Sequence, residues 1–288
     1  MSAKVIDGAA LAERVKLQVK HRVEQMAASG RRPALAAVLI GSTAVGELYA
    51  SRQAQACENT CIAYRLHKLP ADTTQAAAER QLRSLSADPD VTGIMLHLPV
   101  PPHLDATELQ YKIDPVKDVE GVNPANIGYV VYGHTLIAPC TAMAVIELIE
   151  TTGVNLRGAE AVVVGASEIA GKPIALLLAQ RLATVTLCHI ATRDLKSHTQ
   201  GADVLVVAAG KPGLIGADHV KDGAIVIDVG INRLTLADGS KKTVGDVDFE
   251  SVRPKAAYLT PVPGGVGPMT VAMLLKNTVR SAELLARR

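Results

Sequence analysis

Residues 260–270 read TPVPGGVGPMT. Three prolines and three glycines in eleven residues exclude a helix interior or a central strand there, because proline fixes φ and lacks a donor. Glycine adds positive φ and lets other groups come close to the backbone. The apolar AAYL leads in, and MTVAMLLKNTVRSAELL leads out as a helix, with Pro268 suited to its first turn. A stiff loop between a strand and a helix is where α/β proteins hold ligands.

The rest of the chain fits that class. Asp7 caps a helix with Leu11, Val15, Val19 and Val23 at every fourth position, and Gly30 ends it. Strands are expected at 34–41, 62–69 and 93–99, with helices at 45–58 and 74–85 between them. That alternation implies a parallel sheet covered on both faces. Residues 113–128 read as an irregular, charged loop of the functional kind. Pro139 then opens a helix at about 141–152. The alternation restarts with strands at 159–165, 184–188, 204–210, 224–230 and 257–262, and a helix at 169–181. The 288 residues suffice for two domains. We expect a discontinuous α/β substrate domain, 1–140 and 268–288, in which the closing helix packs back on the N-terminal part. A Rossmann-like domain would occupy 141–267.

Composition removes several functions. The net charge is +2 with no basic run, which argues against nucleic-acid binding. The longest apolar runs are strand-sized, which argues against a membrane span, and the N-terminus has no secretory h-region, so a cytoplasmic enzyme is expected. With no Trp and a single Phe, the core must be aliphatic. Cys57, Cys61, Cys140 and Cys188 have no zinc-like spacing, so reduced thiols and no metal site are expected.

The strand AVVVG runs into GASEIAGKP, where Gly165, Ala166, Ser167, Ile169 and Gly171 form a glycine turn opening a helix, as phosphate binding requires. An NAD site commonly ends its next strand with an acid for the ribose hydroxyl. Here that strand ends Cys188-His189, followed by Thr192 and Arg193, which favours NADP. The glycine-ended segments 207–213 (VAAGKPG) and 228–232 (DVGIN) would bring backbone toward the nicotinamide half.

These segments together resemble the methylenetetrahydrofolate dehydrogenase/cyclohydrolase family, almost end to end. The match rests on PVPGGVGPMT (261–270), GASEIAGKP, AAGKPG, AIVIDVGIN and VGDVDF (244–249). In the first half it rests on IGSTAVGELYASRQAQAC (40–57), GIMLHLPVP (93–101), PVKDVEGVNP (115–124) and PCT (139–141). The resemblance implies two α/β domains with a cleft between them, folate bound there, NADP on the second domain, and a homodimer. It also implies a hydride transfer from methylenetetrahydrofolate to NADP, then hydration of the methenyl carbon and ring opening to 10-formyltetrahydrofolate. By the same resemblance, Ala209, Gly210, Ile231 and Thr270 join His189, Thr192 and Arg193 at the cofactor. Pro99, Pro261, Gly264 and Gly265 join Tyr49, His97 and Glu120 at the substrate.

The folate-facing positions depart from the family pattern. Tyr49 is kept, but the Lys four residues later is Gln53, the strand-end Gln is His97, and the Asp before Gly is Glu120. Gly46 stands where the family has Ser, and Ala142 and Ala144 replace a Pro and a Gly. Hydride transfer is mostly positioning, whereas hydration needs a titrating group. An amide does not titrate near neutrality, and losing a general acid/base costs ~100- to 10,000-fold. His97 is either a replacement base or a strand-end imidazole satisfied by backbone. Glu120 carries its charge one methylene farther than Asp. Tyr49, Gln53, His97 and Glu120 are therefore the catalytic positions. The first expectation is an NADP-dependent dehydrogenase with weak or lost cyclohydrolase. The alternatives are a relative acting on a non-folate cyclic imine or iminium, and a non-catalytic NADP-binding sensor.

Overall fold

The structure is a computed structural model that describes residues 2–41, 43–235 and 239–287, with the backbone alone at 44 and 45. The chain forms two compact units, residues 13–140 with 271–288 and residues 1–12 with 141–270.

The first strand, β1 (Lys4–Val5), precedes α1 (Gly8–Ala28), which the Asp7 carboxylate caps through the amide of Ala10 at 2.9 Å. In the unit of residues 13–140 and 271–288, β2 (Ala34–Ile40), α2 (Ala44–Asn59), β3 (Ala63–Leu69), α3 (Gln75–Ala87) and β4 (Gly93–Leu96) follow the predicted alternation. The strands pair in parallel in the order β3-β2-β4. β2 lies in the middle, and every one of its residues is buried, as its unbroken apolar run requires. Thr43 and Thr74 cap α2 and α3 with their hydroxyls.

β4 stops at Leu96, three residues short of the expected strand, before the cis peptide Leu98–Pro99. The expected loop at 113–128 is irregular only in its first part. After α4 (Ala106–Gln110), Asn123 caps α5 (Pro124–Val131), with Pro124 at the start of the helix, where a missing donor costs nothing.

In the unit of residues 1–12 and 141–270, the chain leaves α6 (Cys140–Glu150) and builds β5 (Glu160–Val164), α7 (Gly171–Gln180), β6 (Thr184–Cys188), α8 (Leu195–Thr199), β7 (Val204–Val207) and β8 (Ile225–Asp228). A short antiparallel pair follows, β9 (Asn232–Thr235) with β10 (Lys241–Val244), then α9 (Phe249–Val252), β11 (Tyr258–Leu259) and α10 (Val266–Leu285). The main sheet is parallel throughout, in the order β1-β11-β8-β7-β5-β6. Its core is aliphatic, with Val162, Val164, Leu205, Val207, Val226 and Leu259 at its centre.

The first twelve residues therefore group with 141–270 and not with 13–140, because β1 pairs with β11. Two residues of strand carry too little pattern to be read. Of the C-terminal helix, residues 266–270 group with 141–265 and residues 271–285 group with 13–140. Its Asn277 amide donates to the carbonyls of Val119 (2.9 Å) and Ala138 (3.0 Å), and the Ser281 hydroxyl donates to the carbonyl of Thr92.

Candidate active site

Strand alternation sorts the side chains of the three-stranded sheet. Ile94 and Leu96 enter the core under α3, together with Val38, Leu82 and Leu85. Gly93, Met95 and His97 face the other way, toward α2. The register sets three rows on that face: Tyr64, Leu35 and Gly93; Leu66, Ala37 and Met95; and Lys68 and Leu39 with His97 next to them. A crossover helix runs back along its strands, so the C-terminal edge of the sheet meets the start of α2. Contacts fix this alignment. Lys68 Nζ pairs with Glu47 at 2.7 Å, and a Cβ on Gly46 would lie 3.1 Å from Leu39 Cδ1. Gln53 lies deeper, over Met95 and Tyr64. Tyr49 is one turn nearer the edge than Gln53, on the level toward His97, and is 50% exposed.

Gln53 is buried, and both ends of its amide are engaged. Its Nε2 lies 2.6 Å from Met95 Sδ, and its Oε1 accepts from the Tyr64 hydroxyl at 3.3 Å. Burial, then the neighbouring Cys57, pushes the Tyr64 hydroxyl above its ordinary range, and burial alone pushes the Cys57 thiol up to about 12. Neither group ionises near neutrality.

His97 is only 6% exposed. Its backbone amide donates to Val38 O at 2.9 Å, but its buried Nε2 has no hydrogen-bond partner among the described residues. Burial holds its pKa below the ordinary 6.5, so the ring is neutral at pH 7.

Residues 117–121 run beside β4, with Ile94 N donating to Lys117 O at 2.7 Å. The three charged residues of KDVE then take separate tasks. Lys117 is buried and donates to the carbonyl of Asp88 (2.7 Å), at the C-terminal end of α3 where a cation is favoured. Asp118 is buried and accepts from the amides of Gly121 and Asn123 and from Asn126 Nδ2. Glu120 accepts from the backbone of Leu96, at the end of β4. Burial, then the charge of Asp118, raises its carboxyl to about 8, so it is largely protonated at pH 7. The residue as a whole keeps some exposure, so water is not fully excluded from it. Glu120 thus reaches the end of β4, whose last residue, Leu96, directly precedes His97. Pro99 is exposed two residues beyond.

In the unit of residues 1–12 and 141–270, the expected cofactor residues fall on the loops leaving the C-terminal ends of four neighbouring strands. Gly165, Ala166 and Ser167 follow β5; His189, Thr192 and Arg193 follow β6; Ala209 and Gly210 follow β7; Ile231 follows β8. This is the edge where parallel sheets bind nucleotides. A Cβ on Gly171 would lie 1.8 Å from Gly165 O, and one on Gly165, whose φ is +114°, would lie 2.1 Å from Ala208 O. The turn and the start of α7 therefore close only with glycine. The N-cap residue Ala170 gives α7 no side-chain cap; Gly171 N and Lys172 N instead donate back to Ser167 Oγ (3.4 Å) and Ser167 O (3.0 Å), and Pro173 has no donor. Ile169 is 53% exposed beside them. No carboxylate ends β6; His189 N donates to Thr192 Oγ1 at 2.8 Å, and Arg193 is exposed. These features fit a dinucleotide that bears a 2′-phosphate.

Pro261, Gly264 and Gly265 lie in the same unit, against the start of α1. Ala9 N donates to Gly264 O at 3.0 Å, and a Cβ on Gly8 would lie 1.9 Å from Gly265 O. Thr270 sits in the first turns of α10 and donates to Val266 O at 3.2 Å.

Two buried residues of this edge escaped the sequence reading. Asp228 accepts from the amides of Gly230 (2.9 Å), Asp246 (3.0 Å) and Val247 (2.9 Å). Asp246 accepts from the amides of Ala209 (2.7 Å) and Gly210 (2.8 Å) and from Asn232 Nδ2 (2.8 Å). Their signal in the sequence was the adjacent glycines. A Cβ on Gly245 would lie 1.8 Å from Asp228 Oδ2, and one on Gly230 would lie 2.3 Å from the Asp246 carboxyl. Among the described residues, no group of three or more His, Cys, Asp or Glu side chains is arranged to hold a metal ion, and no helix is long and apolar enough to cross a membrane.

Comparison with known proteins defines the class. Residues 6–120 match the catalytic domain of tetrahydrofolate dehydrogenase/cyclohydrolase, and residues 139–286 match its NAD(P)-binding domain. The chain belongs to the tetrahydrofolate dehydrogenase/cyclohydrolase family. It is 50% identical to the bifunctional protein FolD of Bordetella petrii, over 99% of this chain and 95% of that one. It is 47% identical to the FolD of Moorella thermoacetica, over 98% and 100% of the two chains. The crystal structure of the bifunctional enzyme FolD, methylenetetrahydrofolate dehydrogenase/cyclohydrolase, from Campylobacter jejuni superposes with a TM-score of 0.94 at 41% identity, over 98% and 99% of the chains. That of Trypanosoma brucei FolD, complexed with NADP cofactor and inhibitor, gives 0.93 at 39%, over the full length of both.

Proposed function

We propose that this chain oxidises 5,10-methylenetetrahydrofolate to the methenyl form with NADP, and that it hydrolyses the methenyl product more slowly than it forms it. Membership of the family and near-full-length likeness to bifunctional FolD proteins support the first half. The single observation that carries the second is the Gln53 amide, held between Met95 and Tyr64 with no proton to give or take near neutrality.

NADP, when bound, supplies the hydride acceptor. Gly165, Ala166, Ser167 and Gly171 would hold its phosphates, and His189, Thr192 and Arg193 would receive the 2′-phosphate. Ala209, Gly210, Ile231 and Thr270 would flank the nicotinamide half. Tyr49, His97 and Glu120 would orient the folate ring system, with Pro99, Pro261, Gly264 and Gly265 as further contacts. A protonated Glu120 donates a hydrogen bond that an ionised carboxylate cannot. The protein acts as a homodimer in the cytoplasm. No observation favours a non-folate cyclic imine as substrate.

The test combines purified protein, methylenetetrahydrofolate and NADP. NADPH should form while methenyltetrahydrofolate accumulates, and NAD should be the poorer acceptor by kcat/KM. Absence of NADPH formation overturns the reading; prompt disappearance of the methenyl species overturns its second half. Light scattering on a size-exclusion column checks the dimer.

A further inference from the structure

Position 53 holds no titratable group, yet a histidine follows directly on the C-terminal end of β4. His97 is more than nine-tenths buried, its Nε2 lacks a hydrogen-bond partner among the described residues, and Lys68 of the neighbouring row pairs with Glu47 in the first turn of α2. A buried ring nitrogen without a partner costs free energy unless a ligand or water meets it. The main-chain amide of this residue is bound by Val38 O, whereas its buried Nε2 is left for a group that the described residues do not supply. We propose that His97 is a catalytic residue for the methenyl hydrolysis that this protein retains, taking and returning the proton through Nε2. The inference rests on the folate reading given above.

The step balances. The oxygen of water bonds to the cationic methenyl carbon, and the proton it sheds goes to the lone pair of Nε2. The imidazolium then returns that proton to the ring nitrogen as the bond between carbon and that nitrogen breaks, its electron pair staying on nitrogen. The carbinol proton leaves to solvent as the formyl C=O forms. The net change is methenyl cation plus water to neutral formyl product plus one proton.

The charged groups on the elements around the end of β4 do not substitute for His97. Lys68 of β3 is paired with Glu47 of α2, and Glu120, beside Asp118, is mostly protonated at pH 7 and so is a poor base.

The experiment follows oxidation and hydrolysis separately in the unmodified protein and in His97→Gln. Hydrolysis should fall by about 100-fold or more, far more than hydride transfer, while the melting temperature of the same preparation reports folding. In the unmodified protein, hydrolysis should rise with pH through one ionisation below 6.5, where the ring becomes neutral, and His97→Gln should lose that limb. Added imidazole should restore hydrolysis to His97→Ala. Brisk oxidation with hydrolysis and pH profile unchanged in His97→Gln overturns the inference alone. Failure of the unmodified protein to oxidise methylenetetrahydrofolate overturns the functional reading, and this inference with it.

Discussion

The backbone amide of Asp246 donates to the carboxylate of Asp228 at 3.0 Å, and the Asp246 carboxylate in turn receives the amides of Ala209 and Gly210. Three loops at the C-terminal edge of the parallel sheet are thereby tied through two acids. Hydrogen bonds to a charged acceptor contribute about 1.5–3 kcal/mol each. Asp246→Asn keeps the shape but turns one acceptor into a donor facing Asn232 or the two amides. It should lower stability by roughly 2–4 kcal/mol and raise the dissociation constant for NADP about tenfold or more. Denaturant melts and titration with NADP check both. A variant that loses stability but binds NADP normally would show that the brace does not order the cofactor loops.

Gln53→Lys puts an ammonium where the amide now meets Met95 and Tyr64. Desolvation there should lower its pKa toward neutrality. Methenyl hydrolysis should rise by about an order of magnitude or more, with little change in NADPH formation. Stopped assays of the formyl product decide this. A variant no faster than its parent would remove Gln53 from the account of slow hydrolysis.

Glu120 makes stability depend on pH with a definite sign. Its folded pKa, about 8, lies above the ordinary 4.5, so the fold binds its proton more tightly than the unfolded chain does. The stability it contributes is complete below about 4.5 and is lost as pH rises through about 8. Glu120→Gln keeps an acceptor for the Leu96 amide and cannot ionise. Its melting temperature, relative to the unmodified protein, should therefore climb between pH 5 and pH 9. Parallel melting curves across that range test the sign, and a constant offset would place the Glu120 carboxyl in water.

Asn277 holds α10 to the segment 119–140 through two carbonyls and lies 3.4 Å from Cys140 Sγ. The residue is 2% exposed. Asn277→Leu leaves both carbonyls without this donor and should cost about 2–4 kcal/mol, measured by chemical denaturation.

What the sequence disclosed follows the strength of each local pattern. The run ALAAVLI could only be a strand covered on both faces, and Gly165 and Gly171 announced a close approach that the Cβ distances bear out. Gln53, His97 and Glu120 stood out as departures, but only coordinates show the His97 ring buried, with no partner for its Nε2 among the described residues. Residues 113–128 read as one charged, irregular loop, yet Lys117 and Asp118 within it are bound up in local backbone hydrogen bonds. Helix α5 hid in a segment whose prolines and glycines suggested a loop, although Asn123-Pro124 is a good helix start. β1 and the β9–β10 pair were too short or too polar to register as strands.

The pairing of β1 with β11 sets Lys4 opposite Tyr258, so the first strand to be synthesised has no neighbour until most of the chain exists. The unit around Gln53 and His97 is likewise incomplete until α10 supplies Asn277 and Ser281. Contacts between such distant residues slow folding. During synthesis this protein must therefore carry two unfinished apolar surfaces at once, and their protection by chaperones should matter more to its yield than the final stability of either unit.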